Sequence, residues 1–350
     1  MKLLKFCPLP LFVALLATTE LSIHAQTAVT AATDAYHLKY WEGSPYNAAY
    51  NEWWYYNLYD VQDNIQAIIV YQVADPLNLP GQGVGDLTAV VYQGQQIIAE
   101  SDLYPLSAFD ASYSAADVTL GANTTTVAGP NTYLISGASQ DGKLSWNLSY
   151  ERDAPAWFGA KRVNPGTLSW ELMDWLVYMP GANVSGTLTI NGRQFNISCG
   201  GYHDHNWGQW AFQDDTYNWA QCAAPGLTFD LGDFPANSNG RAGLNLQGQQ
   251  MVFTVSQYTL VNTKWGYDPV NKLPYPIQSV FSASDGNVSV TMTMDVQNTE
   301  PLVTGAPPAI VIYEQPTHFT GKVTFNNDTA AQVTIDGYGF KEYTAKTSAQ

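Results

Sequence analysis

Charge is scarce in this sequence: only 13% of its 350 residues are charged, and bases are rarer than acids, with Lys+Arg 14 against Asp+Glu 30. The net charge of −16 comes with no basic stripe among the aromatic residues. Such a surface repels phosphates and anionic lipids, so nucleic acid is not an expected partner. No apolar run reaches the ~20 residues of a membrane span, and no long amphipathic helical stretch occurs. A G-x-S-x-G elbow, a phosphate-cradling Gly-Lys-Ser/Thr loop and a dinucleotide fingerprint are all missing, which removes the usual signatures of serine hydrolases, nucleotide enzymes and nicotinamide enzymes. A glycosidase leaves no such local signature, because its paired carboxylates come from distant positions.

Cysteine is nearly absent as well, at three residues. Cys7 lies in a leader with a basic start at Lys2 and Lys5, an apolar stretch from Leu9 to Leu16 and small residues ending at Ala25. This is the pattern of a secretory signal peptide over residues 1–25, and its loss with Glu20 takes the net charge to −17. Secretion is therefore expected. Six N-x-Ser/Thr acceptors, at Asn123, Asn147, Asn183, Asn196, Asn287 and Asn327, fit a glycoprotein, although a chain rich in Asn, Ser and Thr also makes such triplets by chance. Cys199 and Cys222 remain. In an oxidising compartment they are expected to form a disulfide worth roughly 3 kcal/mol, the alternative being two buried thiols.

What is abundant is short β-type sequence. Alternating or β-branched runs recur at Ile65 to Tyr71, Leu87 to Tyr92, Leu144 to Tyr150, Val184 to Ile190, Met251 to Tyr258, Asn287 to Val296 and Gln332 to Ile335. They are separated by Gly, Pro, Asn and Asp, as in antiparallel sheets. Asn191-Gly192 supplies the positive φ angles of a tight hairpin turn. Breaker-rich connections are expected at Asp75 to Asp86, Asp153 to Gly166, Asp233 to Gly243, Gly266 to Pro276 and Asn298 to Pro308. The expectation is an all-β chain of two antiparallel barrel- or sandwich-like domains, residues 26–210 and 211–350.

Two segments could carry chemistry. In Gly201-Tyr202-His203-Asp204-His205-Asn206-Trp207-Gly208, strand alternation sends Cys199, His203, His205 and Trp207 one way and Tyr202, Asp204 and Asn206 the other. Two of the four histidines after the leader fall here, the others being His37 and His318. A hydrogen-bonded core network is one reading. An acid–base site with His203, Asp204 and His205 as candidates is the second. A metal site is the third, for which a third ligand would come from His37, His318 or a distant carboxylate; the acid–base reading is preferred, with no metal and no cofactor. In Glu52-Trp53-Trp54-Tyr55-Tyr56-Asn57, Trp53 and Tyr55 share a face opposite Glu52, Trp54 and Tyr56. One face can pack in a core while the other lines an aromatic pocket suited to an apolar, unsaturated ligand. Glu171, Asp174, Asp230 and Asp233 are further carboxylates near these segments.

The pairing of Glu52-Trp53-Trp54-Tyr55 with the His-Asp-His segment about 150 residues later resembles the carotenoid hydratase (hydroxyneurosporene synthase)/AttH group. The leader and the acceptor triplets point within it to the secreted fungal branch of kievitone hydratase and the Diels–Alderases and hetero-Diels–Alderases. The resemblance implies two lipocalin-like β-domains and cofactor-free chemistry on a small, apolar, polyunsaturated substrate of secondary metabolism. It implies catalytic roles for His203, Asp204 and His205, and substrate contacts for Glu52, Trp53, Tyr55 and Trp207. The implied reaction is a Diels–Alder or hetero-Diels–Alder cyclisation, with or without acid-assisted loss of water. The alternatives are a hydratase, and a carrier of an apolar ligand that does no chemistry.

Overall fold

The computed structural model describes residues 29–79, 81–211, 216–304, 309–326 and 328–348. The leader and Asn327 lie outside them. No helix among the described residues is long and apolar enough to cross a membrane.

The first sheet has twelve strands. Its first six are β1 (Tyr50–Asp60), β2 (Ile65–Ala74), β3 (Val84–Gln93), β4 (Gln96–Pro105), β5 (Phe109–Ala111) and β6 (Val118–Leu120). The remainder are β7 (Asn123–Gly129), β8 (Thr132–Ala138), β9 (Leu144–Arg152), β10 (Trp157–Val163), β11 (Leu172–Ile190) and β12 (Arg193–Gln209). They run in the order β4-β3-β2-β1-β12-β11-β9-β8-β7-β6-β5, with β10 paired to β11, and curl into a nearly closed barrel. Asn191 and Gly192, with φ of 50° and 79°, turn β11 into β12 as a tight hairpin.

The second sheet has ten strands and forms a half-barrel. It contains β13 (Asn218–Ala224), β14 (Leu227–Phe234), β15 (Asn239–Leu246), β16 (Gln249–Thr254) and β17 (Tyr258–Asp268). It continues with β18 (Leu273–Ser284), β19 (Val288–Val296), β20 (Glu300–Thr304), β21 (Ile310–Phe325) and β22 (Asp328–Lys346). The expectation of two lipocalin-like β-domains is met. The breaker-rich stretch Gly266 to Pro276 is strand for most of its length: β17 and β18 pair through it as far as Asp268 and Leu273.

Alternation produces three apolar layers. Trp54, Tyr56, Leu58 and their neighbours fill the first barrel. Phe229, Phe281, Met292 and Phe319 fill the second. Between them, outward-facing rings of the first sheet, Tyr55, Trp157, Trp175 and Tyr202, meet Trp219, Phe234 and Phe340 of the second.

The disulfide does not form, and the alternation explains why. Cys199, opposite Val184, packs against the first core, whereas Cys222 is buried in the second. Both are free thiols. Burial pushes Cys199 up to about 12 and raises Cys222 too, which leaves both unreactive. Among the acceptor asparagines, Asn123 is only 2% exposed. Its amide donates to the Tyr104 hydroxyl and the Leu120 carbonyl and accepts from the Ala138 amide, so this fold has no room for a glycan there. Asn147, Asn183, Asn196 and Asn287 are exposed.

The two sheets approach closely at glycines of the second. The Trp157 indole lies on Gly243 while its N–H donates to Asp230, 3.1 Å away. The Trp175 ring lies on Gly232, where an added Cβ would meet it at 2.7 Å. Gly243→Val is therefore expected to prise the sheets apart and destabilise the protein by about 1–3 kcal/mol in denaturant unfolding. An unchanged midpoint would show that this contact does not hold the sheets together.

Candidate functional site

β1 and β12 are paired in register, Trp54 opposite His205 and Tyr55 opposite Asp204, so the two segments singled out by sequence lie side by side. Directly opposed residues share a face. Each strand is buried on both sides, and the sequence-derived candidates therefore divide into two groups back to back.

On the barrel side lies a closed network of acids and imidazoles. Asp34, on a short 3₁₀ turn Ala31–Asp34, is fully buried. Its carboxylate accepts from His203 Nε2 at 2.9 Å and from His205 Nδ1 at 3.0 Å. The other nitrogen of His205 donates to Glu52 at 2.8 Å, and that of His203 donates to the Tyr55 carbonyl at 2.9 Å. Glu52 also accepts from the Tyr50 hydroxyl and from the His37 backbone N–H at 3.0 Å, with His37 Nδ1 at 3.2 Å. The His37 ring stacks on Trp207, centroids 3.7 Å apart, and His205 stacks on Trp54 at 4.5 Å. Burial alone would raise Asp34, but its two imidazole partners hold it well below the usual carboxylate range. Burial also opposes charge on His205, and the two carboxylates outweigh it, pushing His205 up to about 9.

On the other side, Trp53, Tyr55, Asp204 and Asn206 face a cleft between the sheets. Met173 and Trp175 complete its first wall, and Tyr217, Trp219, Phe234 and Glu342 come from the second. It contains about 470 Å³ of space including its open mouth. Asp204 Oδ2 accepts from Tyr202 Oη and Trp175 Nε1, both at 2.8 Å, and Oδ1 accepts from the Asn206 amide at 3.4 Å. Burial raises Asp204 to about 6. Across the cleft, Glu342 on β22 stands directly opposite Glu314 on β21, which stands opposite Glu300 on β20. Burial raises Glu314, and the neighbouring charge of Glu342 adds to the rise. Burial also pushes Glu342 up to about 7, with the charge of Asp204 adding to it and hydrogen bonds from Tyr217 and Glu314 opposing it. Tyr217 Oη donates to Glu342 at 2.7 Å.

The structure thus groups Trp53, Tyr55 and Asp204 in the cleft and separates His203, His205, Glu52 and Trp207 from it. Asp34, Glu314 and Glu342 were missed by sequence reasoning, having no local motif; only the fold of the first turns and the register of three distant strands bring them in.

No protein-family model matches the chain, and no curated protein sequence does. Solved structures do. A protein from Nitrosomonas europaea described as a putative AttH is 12% identical, with a TM-score of 0.66 over 89% of this chain and 94% of its own. Kievitone hydratase from Nectria haematococca is 14% identical, with a TM-score of 0.58 over 86% and 90%. CghA in complex with Sch210972 is 12% identical, with a TM-score of 0.58 over 86% and 89%. At these identities the likeness is one of fold. These neighbours belong to the superfamily that the motif pair resembles, its fungal branch included.

The carboxyl row has a consequence for stability. A carboxyl raised in the folded state binds its proton more tightly there than in the unfolded chain, so the folded state loses stability as pH rises from about 4.5 to about 7. Glu342 faces Glu314 on its own sheet, Tyr217 at its rim, and Asp204 and Tyr55 from the first sheet, with Lys341 adjacent on the opposite face. Glu342→Gln removes the penalty, at most about 3 kcal/mol. The variant is expected to gain on the wild type in thermal unfolding between pH 5 and pH 8. A gap independent of pH would mean that Glu342 ionises normally.

Proposed function

We propose that this chain is a secreted, cofactor-independent enzyme of natural-product biosynthesis that works in the cleft on an apolar polyunsaturated intermediate. The observation that carries this reading is the placing of carboxyl groups on facing walls of one aromatic cleft, Asp204 from the first sheet and Glu342 from the second, with Glu314 paired beside Glu342 on β21. One carboxyl protonates a hydroxyl or an alkene and the other accepts a proton or orients water, a division that needs groups on both sides of the substrate. The rings of Trp53, Tyr55, Trp175 and Trp219 would stabilise the positive charge that such a step creates. Loss of water gives a reactive diene, and a cleft that folds the chain can take several kcal/mol off its Diels–Alder or hetero-Diels–Alder closure.

Run in reverse, the same carboxyls add water to an alkene, which is the hydratase reading. The name of kievitone hydratase, a structural neighbour, supports water as the co-reactant. A carrier would use the aromatic walls and have no need of opposed carboxyls. His203, His205, Glu52 and Trp207 then act from behind, fixing the strands that present Asp204, Trp53 and Tyr55.

Binding can be followed by quenching of the cleft tryptophans with a panel of polyunsaturated alcohols and alkenes, and turnover by product analysis in oxygen-18 water. Asp204→Asn is expected to keep binding within a few fold and to lower turnover by about 10²–10⁴-fold. Label entering the product marks hydration; its absence marks dehydration or pure cyclisation. Unchanged turnover in Asp204→Asn would remove the acid role from Asp204.

A further inference from the structure

The network behind the cleft contains a donor set that is hydrogen-bonded together and also close enough together to share one ion. His37 Nδ1, a Glu52 carboxylate oxygen and His205 Nε2 all lie within 4.8 Å of one another. Two of the three separations, 3.2 Å and 2.8 Å, are already at or inside the ~3.3 Å between neighbouring ligands of a tetrahedral ion with bonds near 2.0 Å. We propose that His37, Glu52 and His205 form a binding site for one divalent transition-metal ion of the zinc class.

The surroundings are those of a metal site and not only of an ion pair. Asp34 accepts from His205 Nδ1, so an ion would displace only the proton that Nε2 shares with Glu52; a carboxylate behind a ligating histidine is the usual outer-shell arrangement. Each ligand is held in place before any ion arrives. His37 is stacked on Trp207, His205 on Trp54, and Glu52 is anchored by Tyr50 and by the His37 backbone N–H. Among the described residues neither Asp34 nor Glu52 is paired with Lys or Arg. Their negative charge is met by imidazoles alone, and two neutral imidazoles with a carboxylate are the donors that zinc, cobalt and iron(II) accept. The His37 side chain is 12% exposed whereas Glu52 and His205 are fully enclosed, which gives an ion an entry path at the His37 rim. Three protein ligands leave one position of a tetrahedral ion for solvent.

The site lies on the far side of β1 and β12 from the cleft, so it stands or falls separately from the proposed reaction. The test uses the mature chain stripped with a chelator, then titrated with zinc and in parallel with cobalt(II). One equivalent of zinc is expected to bind, and cobalt is expected to show the visible absorption of a four- or five-coordinate ion. Because Glu52→Gln could disturb folding, His37→Ala, at the slightly exposed rim, is the decisive variant. It is expected to abolish the cobalt spectrum, while Asp34→Asn weakens zinc binding by about 10- to 100-fold. His318→Ala, on the second sheet, is expected to bind as the wild type does. No bound metal in the wild type, or a His37→Ala variant with unchanged affinity, would overturn the proposal and leave the cluster a hydrogen-bonded ion network.

Discussion

The grip of Asp34 on His203 and His205 is the constraint from which the rest of the structure follows. Asp34 belongs to no strand; it arrives from the turn that precedes β1, and its main-chain carbonyl also accepts from Trp54 Nε1 at 3.1 Å. One residue therefore ties the N-terminal segment to both central strands of the first sheet. Its carboxylate and the two imidazoles have no exposed surface, so each meets the cost of burial only through the others. Removing one member would leave a buried charge without a partner, a change that typically costs about 3–5 kcal/mol.

That pin also decides what the other face can do. β12 cannot slip by one residue against β1, because a slip would carry His203 and His205 out of the barrel and Asp204 into it. With the imidazoles fixed inside, Tyr202, Asp204 and Asn206 must face the second sheet. Trp175 extends the constraint across the gap: its N–H holds Asp204, and its ring rests on Gly232. The acid is thus located by contacts on two sheets.

Much of this was legible in the sequence. Period-two alternation placed His203, His205 and Trp207 opposite Asp204, and Trp53 and Tyr55 opposite Glu52; Asn191-Gly192 marked the turn that makes β11 and β12 neighbours. The same alternation could not by itself rule out the disulfide. It assigns Cys199 to the barrel-facing set, but nothing local says which core Cys222 enters, because its neighbours on β14 and β22 are five or more residues away in sequence. Asn123 failed for a related reason: an acceptor triplet says nothing about whether its amide is spent on Tyr104, Leu120 and Ala138. Glu300, Glu314 and Glu342 became a row only through pairing across β20, β21 and β22.

The two kinds of buried acid also differ in a way that bears on function. Asp34 and Glu52 have imidazole partners and are lowered; Glu314 and Glu342 are raised, by burial first, and then Glu314 by the charge of Glu342 and Glu342 by that of Asp204. A lowered, fully bonded carboxylate is suited to holding a fold or an ion and poorly suited to giving up a proton. A raised carboxyl in an aromatic cleft has the opposite character, since the apolar surroundings that discourage its charge also favour its use as a proton donor. The chain keeps these roles on opposite faces of two strands, so the groups that fix the geometry are not the groups that a substrate would meet.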